Sequence, residues 1–151
     1  MDQIDQQILS EIQKSSDKKV YQIARKLNLP RSTVHNRIKK LEKDKIILSY
    51  KAIVDPKKLG KDVTAFIHII ISAKQSANEI AQKLKPLPNI EAVYLIAGQY
   101  DLIALARFSN TSELSDFIYD GQKGLRIWPG VERTESMIVL ATAKENGVIE
   151  P

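Results

Sequence analysis

Apolar residues at helical spacing open the chain. Four large aliphatic side chains lie on one predicted helix face, and Asp2 or Asp5 can cap the start of that helix. The aliphatic positions are Ile4, Ile8, Leu9 and Ile12. Residues 15–17 are Ser-Ser-Asp, a turn-like cluster, so we expect this first helix to end near Lys14.

Two further helices are predicted over residues 20–27 and 31–43, and a tight turn joins them. Ala24 is small where two helices have to approach closely. Asn28 tolerates the left-handed backbone that a sharp turn needs, and Pro30 stops one helix and favours the start of the next. The third helix is expected to face inward through Val34, Ile38 and Leu41.

The pattern changes after the third helix. Residues 46–54, IILSYKAIV, are apolar and rich in β-branched side chains, which predicts a strand. That strand is either a wing of the helical domain or an arm leading to a second one. Residues 55–60 are charged and turn-rich, so they predict a linker between a domain over residues 1–54 and another over residues 61–151.

The second domain is predicted to alternate strands and helices. Residues 63–72 form a long apolar strand with little alternation, as expected when both faces of a sheet are covered. Ser76 and Glu79 predict a capping box at the start of the next helix. Two strands over residues 90–97 and 102–108, a helix over 111–123 and a strand over 131–143 complete the order βαββαβ. This order specifies a ferredoxin-like sandwich and an α+β fold class.

A ferredoxin-like sandwich carries its helices on one face of the sheet only. The predicted strands are nevertheless apolar on both sides, so the uncovered face needs a partner. A second copy of the chain is the simplest partner, and sheet-to-sheet dimerisation is therefore expected.

Positive charge is concentrated in the N-terminal third. The chain has a net charge of +5, and residues 1–55 hold 12 basic and 7 acidic residues, which accounts for the whole excess. Such asymmetry suggests a polyanion as partner. The polar face of the third helix combines residue types that bind base edges and phosphates in a major groove. The candidate DNA-contacting residues are Arg31, Ser32, Thr33, His35, Asn36, Arg37, Lys39 and Lys40. A basic surface helix in a small bundle would produce the same pattern.

Four sequence blocks, in order and at matching spacing, carry a family resemblance over nearly the whole chain. They are Asp5-Gln6-Gln7-Ile8-Leu9, Ser32-Thr33-Val34 with Arg37-Ile38-Lys39-Lys40-Leu41-Glu42, Gly98-Gln99-Tyr100-Asp101-Leu102, and Pro129-Gly130-Val131-Glu132-Arg133-Thr134-Glu135-Ser136. With these blocks the chain resembles the Lrp/AsnC, or feast/famine, family of transcriptional regulators. It departs from the family pattern at Pro30, where a serine usually caps the recognition helix, and at Asn28, where glycine is common.

The resemblance implies a winged-helix-like DNA-binding domain followed by a ferredoxin-like domain that dimerises and binds an effector. It implies double-stranded DNA as a partner and self-assembly into dimers and multiples of dimers, an octamer among them. It also implies a free amino acid as effector, bound between dimers, and no other cofactor. The ligand-binding residues that it implies are Gly98, Gln99, Tyr100 and Asp101, with Thr134, Glu135 and Ser136 from another subunit.

Other readings of the sequence have less support. The chain lacks cysteine, which excludes disulfides and cysteine-ligated metals, and its two histidines suggest no nucleophile–base pair. We therefore expect neither catalytic nor metal-binding residues, and His68 is interpreted as a core or interface histidine. No apolar run approaches the length of a membrane span, so a cytoplasmic protein without membrane contact is expected. The main alternative keeps DNA binding but treats the second domain as a ligand-independent oligomerisation scaffold.

Overall fold

The computed structural model describes residues 1–14 and 19–149, and these divide into two compact units. The first unit comprises Met1–Val54 together with the described residues from Ala143 onward, and the second comprises Asp55–Thr142. The assignment of residues 143–149 to the first unit differs from the sequence prediction, which placed them in the second domain. The predicted turn at residues 15–17 lies outside the described residues.

Three helices build the first unit as predicted: α1 (Gln3–Lys14), α2 (Val20–Leu27) and α3 (Arg31–Lys43). Their apolar faces meet in one core, because each helix repeats aliphatic side chains at the spacing of a single face. Ala24 is only 5% exposed, which fits its predicted role at a close helix contact. The core consists of Ile8, Leu9, Ile23, Ala24, Val34, Ile38 and Leu41.

The ends of these helices are fixed by local hydrogen bonds. The Asp2 and Asp5 carboxylates each accept a hydrogen bond from the other residue's backbone N–H, at 2.9 and 3.1 Å, and this reciprocal pair caps α1. Asn28 adopts the left-handed conformation at φ 53° and ends α2. At α3, Pro30 supplies no side-chain cap, and its carbonyl accepts the first helical bond from Val34 N–H at 3.2 Å.

The strand predicted over residues 46–54 is not present in the single chain. The N–H groups of Ile46 and Ile47 donate instead to the Leu41 carbonyl at 2.9 and 3.1 Å, and they extend the turn that ends α3. A strand needs a neighbour for its ladder, and no described segment of this chain pairs with residues 48–54. The segment therefore leaves apolar side chains in solvent, with Leu48 82% and Ile53 72% exposed.

The second unit has the predicted βαββαβ order. Its elements are β1 (Val63–Ile71), α4 (Ala77–Leu84), β2 (Ile90–Leu95), β3 (Leu102–Phe108), α5 (Thr111–Tyr119) and β4 (Val131–Ile138). The strands form one antiparallel sheet in the order β2-β3-β1-β4, which confirms the ferredoxin-like α+β fold.

Local chemistry moves one predicted helix end and replaces one predicted cap. Helix α5 ends at Tyr119 because the Asp120 carboxylate accepts hydrogen bonds from the N–H groups of Gln122 and Lys123 at 2.8 and 2.9 Å, which closes a turn there. The predicted capping box at Ser76 does not form, since the Ser76 side chain makes no cap bond. The glutamate of that box pairs instead with the side chain of Gln75.

The two faces of the sheet differ in burial. Alternate residues of β1 and β3 are fully buried beside the helices, where they form the core of the second unit. On the other face Phe66 is 39%, Met137 47% and Tyr94 56% exposed. This apolar outer face is open to solvent in the single chain, as the sequence predicted. In the described part of the chain no helix is long and apolar enough to cross a membrane.

Candidate DNA interface and effector site

Helix α3 turns its three apolar residues into the core of the first unit and its polar residues outward. All eight predicted DNA-contacting residues lie outside that core. Thr33 and Arg37 are half-buried, and the other six are exposed. The exposed set combines the cations Arg31, Lys39 and Lys40 with hydrogen-bonding side chains. Such a surface can hold phosphates and reach base edges.

Arg37 differs from the other candidates because its guanidinium already has partners within the unit. Its Nη1 donates to Asp2 Oδ2 at 2.6 Å and to Asp5 Oδ1 at 2.8 Å. The hydrogen bond from Arg37 lowers the pKa of Asp2, and it lowers the pKa of Asp5 against the raising effect of burial. The side chain of Arg37 therefore joins α3 to the start of α1. The sequence, which showed only its helix face, did not reveal this pairing.

A second polar contact joins the end of α3 to the segment that follows it. Glu42 accepts hydrogen bonds from Lys39 Nζ and from the Tyr50 hydroxyl, both at 3.0 Å and on different carboxylate oxygens. The bond from Lys39, followed by the bond from Tyr50, lowers the pKa of Glu42. Burial and the carboxylate together raise the pKa of Tyr50 to about 12. Neither Glu42 nor Tyr50 was among the predicted site residues.

The helices that support α3 are themselves held by a buried charge. Glu11 on α1 is 4% exposed, and both of its carboxylate oxygens lie 2.8 Å from Lys26 Nζ on α2. Lys14 Nζ adds a third contact at 3.2 Å. A carboxylate at this depth is tolerated because cations and hydrogen bonds compensate its loss of water.

The predicted effector residues begin in the turn between β2 and β3. Gly98 and Gln99 are exposed there, and Gly98 has a φ of +151°, which favours glycine. Asp101 closes the turn: its Oδ2 accepts from Ile71 N–H at 2.7 Å, and its own N–H donates to the Ile69 carbonyl at 3.0 Å. Asp101 is thus engaged with the end of β1 and has a structural role at the turn.

Tyr100 and Glu135 are brought together, although they are 35 residues apart in sequence. The Tyr100 hydroxyl donates to Glu135 Oε2 at 2.5 Å, and this bond raises the pKa of Tyr100. The Tyr100 ring packs against His68, with ring centroids 4.6 Å apart and planes inclined by 49°. His68 faces Glu135 directly in the β1–β4 register. His68 therefore belongs to this cluster, and the sequence assignment did not include it.

Thr134 and Ser136 are separated from Glu135 by the pleat of β4. They pair with Ile69 and Ile67, whose side chains point into the core, whereas Glu135 pairs with outward-facing His68. Within one chain the three consecutive residues therefore do not line a common face.

Two buried polar atoms, Nδ1 of His68 and Oγ1 of Thr134, have no hydrogen-bond partner among the described residues. Residues 1–14 and 19–149 contain no cluster of three or more side chains suited to hold a metal ion.

Two family matches cover the chain on either side of residues 48–63, and residues 143–149, which belong to the first unit, fall within the second match. Residues 1–47 match the winged helix-turn-helix DNA-binding family, and residues 64–149 match the Lrp/AsnC ligand binding domain. The HTH-type transcriptional regulator FL11 of Pyrococcus horikoshii is 36% identical over 145 residues, which cover 96% of this chain and 93% of that protein. Its namesake from Pyrococcus abyssi is 38% identical over the same length, with the same coverage of both chains.

Solved structures agree with these matches. A transcriptional regulator from Neisseria meningitidis in complex with L-methionine aligns with a TM-score of 0.92 and 25% identity, over 99% of this chain and 96% of that one. AsnC of E. coli has the same fold, with a TM-score of 0.88 at 24% identity over 100% and 99% of the two chains. The chain therefore belongs to the Lrp/AsnC family of transcriptional regulators, with an N-terminal helix-turn-helix and a C-terminal ligand-binding domain.

Proposed function

We propose that the exposed polar surface of α3 contacts operator DNA and that a free amino acid bound at the second unit modulates this contact. The observation that carries the proposal is the arrangement of α3, whose aliphatic residues are buried while its cations and hydrogen-bonding side chains are exposed. Neutralising phosphates with such cations releases counterions and makes binding depend steeply on salt.

The side chains of α3 divide by chemistry into two roles. Arg31 and Asn36 can form paired hydrogen bonds with guanine and adenine edges. The remaining contacts hold phosphates and fix the register of the helix on the duplex. We assign this second role to Ser32, Thr33, His35, Lys39 and Lys40. Arg37, which is paired with Asp2 and Asp5, acts mainly by orienting α3 on α1.

The effector site is proposed at the Tyr100–Glu135 end of the second unit. A free amino acid carries an ammonium and a carboxylate, so it needs an acidic acceptor and neutral donors at short range. Glu135 and the turn at residues 98–101 supply such groups, and Thr134 and Ser136 of another subunit complete the set. L-methionine is the first ligand to test, because the N. meningitidis relative was solved in complex with it.

The assembly is proposed to be a dimer through the outer sheet face, with higher multiples such as an octamer built from it. Exposed Phe66, Tyr94 and Met137 on that face support this, because a second copy would remove them from water. Sedimentation of Phe66→Lys should show loss of the dimer, and an unchanged sedimentation coefficient would reject this face as the interface. A DNA-binding regulator of this kind is expected in the cytoplasm.

Calorimetry of the full chain against each of the twenty amino acids tests the effector proposal, followed by DNA binding with and without any that binds. Heat with at least one amino acid, together with a change in DNA affinity, is the expected result.

A second candidate function is a ligand-independent DNA-binding scaffold. It is favoured by the internal bonds of Asp101 and Glu135, which already satisfy part of their acceptor capacity. Absence of heat with all twenty would support the scaffold. Because the curated relatives are transcriptional regulators, catalysis is disfavoured.

A further inference from the structure

Lys45, two residues beyond the end of α3, is held in the left-handed backbone conformation, with a φ of +58°. Two hydrogen bonds fix it there. The Lys45 N–H donates to the Glu42 carbonyl at 3.1 Å, and the Ile46 N–H donates to the Leu41 carbonyl at 2.9 Å. Together these bonds close α3 in a Schellman motif, whose left-handed position is most often occupied by glycine because other L residues are strained there.

No local interaction accounts for a lysine at this position. The other described residues that combine a side chain with a positive φ are Asn28 and Asn146, and asparagine tolerates that conformation. Lys45 is exposed, and its ammonium has no hydrogen bond or ion pair with any described residue. A strained residue without a local bond to compensate it points to a role outside the folded unit.

The length of α3 indicates what lies beside Lys45 when the helix is on DNA. Its 13 residues span about 20 Å, whereas the major groove of B-form DNA is about 12 Å wide. With Arg31 and Asn36 of the first half at base edges, the end of α3 extends past the bases to the phosphate backbone. The two backbone bonds hold Lys45 at that end.

We propose that Lys45 binds a DNA phosphate at the edge of the groove that α3 occupies. The inference rests on the proposed function of α3. Lys39, on the last turns of the helix, is paired with Glu42 at 3.0 Å, whereas Lys45 has no described carboxylate partner to give up when it meets a phosphate. Glycine at this position would relieve the backbone but remove the cation. Stability and DNA binding therefore favour different residues here.

Three substitutions of Lys45 in the full-length protein separate the backbone from the charge. Lys45→Gly removes both the strain and the ammonium, Lys45→Ala removes only the ammonium, and Lys45→Arg keeps both. Thermal melting measures stability. Fluorescence anisotropy over a salt series measures affinity for a duplex selected in vitro for binding to the wild-type chain.

Lys45→Gly should raise the melting temperature by a few degrees and at the same time weaken DNA binding. We expect an affinity loss of about three- to tenfold at about 0.15 M salt, and a slope of log affinity against log salt that is smaller by about 0.9. Lys45→Ala should show the same losses of affinity and slope without the gain in melting temperature. Lys45→Arg should match wild type in all three measurements.

Two results would overturn the proposal. Wild-type affinity and slope in Lys45→Ala would reject the phosphate contact, and a loss seen only in Lys45→Gly would then come from a loosened backbone. A melting temperature lowered in both variants, with an unchanged slope, would mean that the ammonium stabilises the carbonyl end of α3 instead.

Lys40→Ala separates failure of this proposal from failure of the proposed function. If Lys40→Ala reduces the salt slope and Lys45→Ala does not, only the contact at Lys45 is wrong. If neither substitution changes the slope, the DNA-contacting surface of α3 is wrong as well. Lys83→Ala, in the second unit, controls for a general loss of positive charge and should leave the slope unchanged.

Discussion

Nη1 of Arg37 lies 2.8 Å from Oδ1 of Asp5, so α3, the helix that we propose contacts DNA, is ionically joined to the first helix of the chain. The side chain of Asp5 is 11% exposed and that of Arg37 28% exposed, which limits screening by water and salt. The contact fixes α3 at its middle, while the aliphatic core fixes it along its inner face. Orientation of α3 therefore depends on the carboxylates of Asp2 and Asp5 as well as on the aliphatic core.

Replacement of Asp5 should destabilise the first unit. Asp5→Asn removes a carboxylate whose folded-state pKa lies below its ordinary value, so the stabilisation it provides is present above that value and disappears as the pH falls through the folded pKa. We expect a melting temperature lowered by a few degrees at pH 7, with the difference from wild type shrinking below about pH 4. Asp44→Asn, at an exposed aspartate after α3, is the matched control. Identical melting curves for wild type and Asp5→Asn would contradict the assigned pairing.

Lys40 should contribute one phosphate contact. Lys40→Ala is expected to weaken binding to all duplexes similarly and to reduce the slope of log affinity against log salt by about 0.9. Lys83→Ala, which removes a cation from α4 in the second unit, should leave the slope unchanged. Filter binding or fluorescence anisotropy over a salt series measures both variants. Equal slopes for Lys40→Ala and wild type would count against the DNA-contacting surface.

Gly130 should not accept a side chain. Its φ is +93°, and a Cβ built there would lie 2.4 Å from Cγ of Gln75, while its carbonyl accepts from Ser72 N–H at 2.9 Å. Gly130→Ala is expected to lower the free energy of unfolding by roughly 1–3 kcal/mol, as measured by denaturant titration. Gly98→Ala tests backbone strain without the clash, since a Cβ at that position would meet nothing within 4 Å beyond its chain neighbours. Gly121→Ala has open space and no positive φ, so it should be neutral.

Glu113 should make stability depend on acid. The backbone N–H of Ser109 and the amide of Asn89 donate to its carboxylate at 2.6 and 2.7 Å, and these bonds lower its pKa from 4.5 to about 2. A carboxylate with a depressed pKa stabilises the fold above about pH 4.5 and loses this contribution as the pH falls towards 2. Glu113→Gln should therefore melt lower than wild type at pH 7, and the two should converge near pH 2. Glu132→Gln, at an exposed glutamate on β4, should track wild type throughout.

Local patterns predicted most of the fold because helices and strands bury periodic faces. Asn28 marked the helix-turn-helix bend correctly, since its left-handed conformation is a property of that residue and its neighbours. The strand predicted over residues 46–54 was wrong for a single chain, because a strand requires a pairing partner that sequence pattern does not supply. The end of α5 was misplaced because the Asp120 turn competes with the helix at a position where helical periodicity continues.

The candidate sites were harder to predict because side-chain partners come from distant parts of the chain. Arg37 looked like its neighbours on α3, and only its proximity to Asp2 and Asp5 distinguishes it. The sequence could have predicted that Glu135 points to the opposite face of β4 from Thr134 and Ser136, since strand side chains alternate in direction. His68 lies beside Tyr100 and Glu135 because of the register of β1 against β4, and the sequence does not determine that register.

The side-chain amide of Gln13 on α1 donates to the Ile149 carbonyl and accepts from the Ile149 N–H, both at 2.9 Å. This pair of hydrogen bonds joins the last described residue of the chain to α1, within the DNA-binding unit. During synthesis the three helices emerge early and can pack their own core. The contact with Ile149 has to wait until the effector-binding unit has been translated. This contact of the DNA-binding unit thus forms only when the ligand-binding domain has already been made.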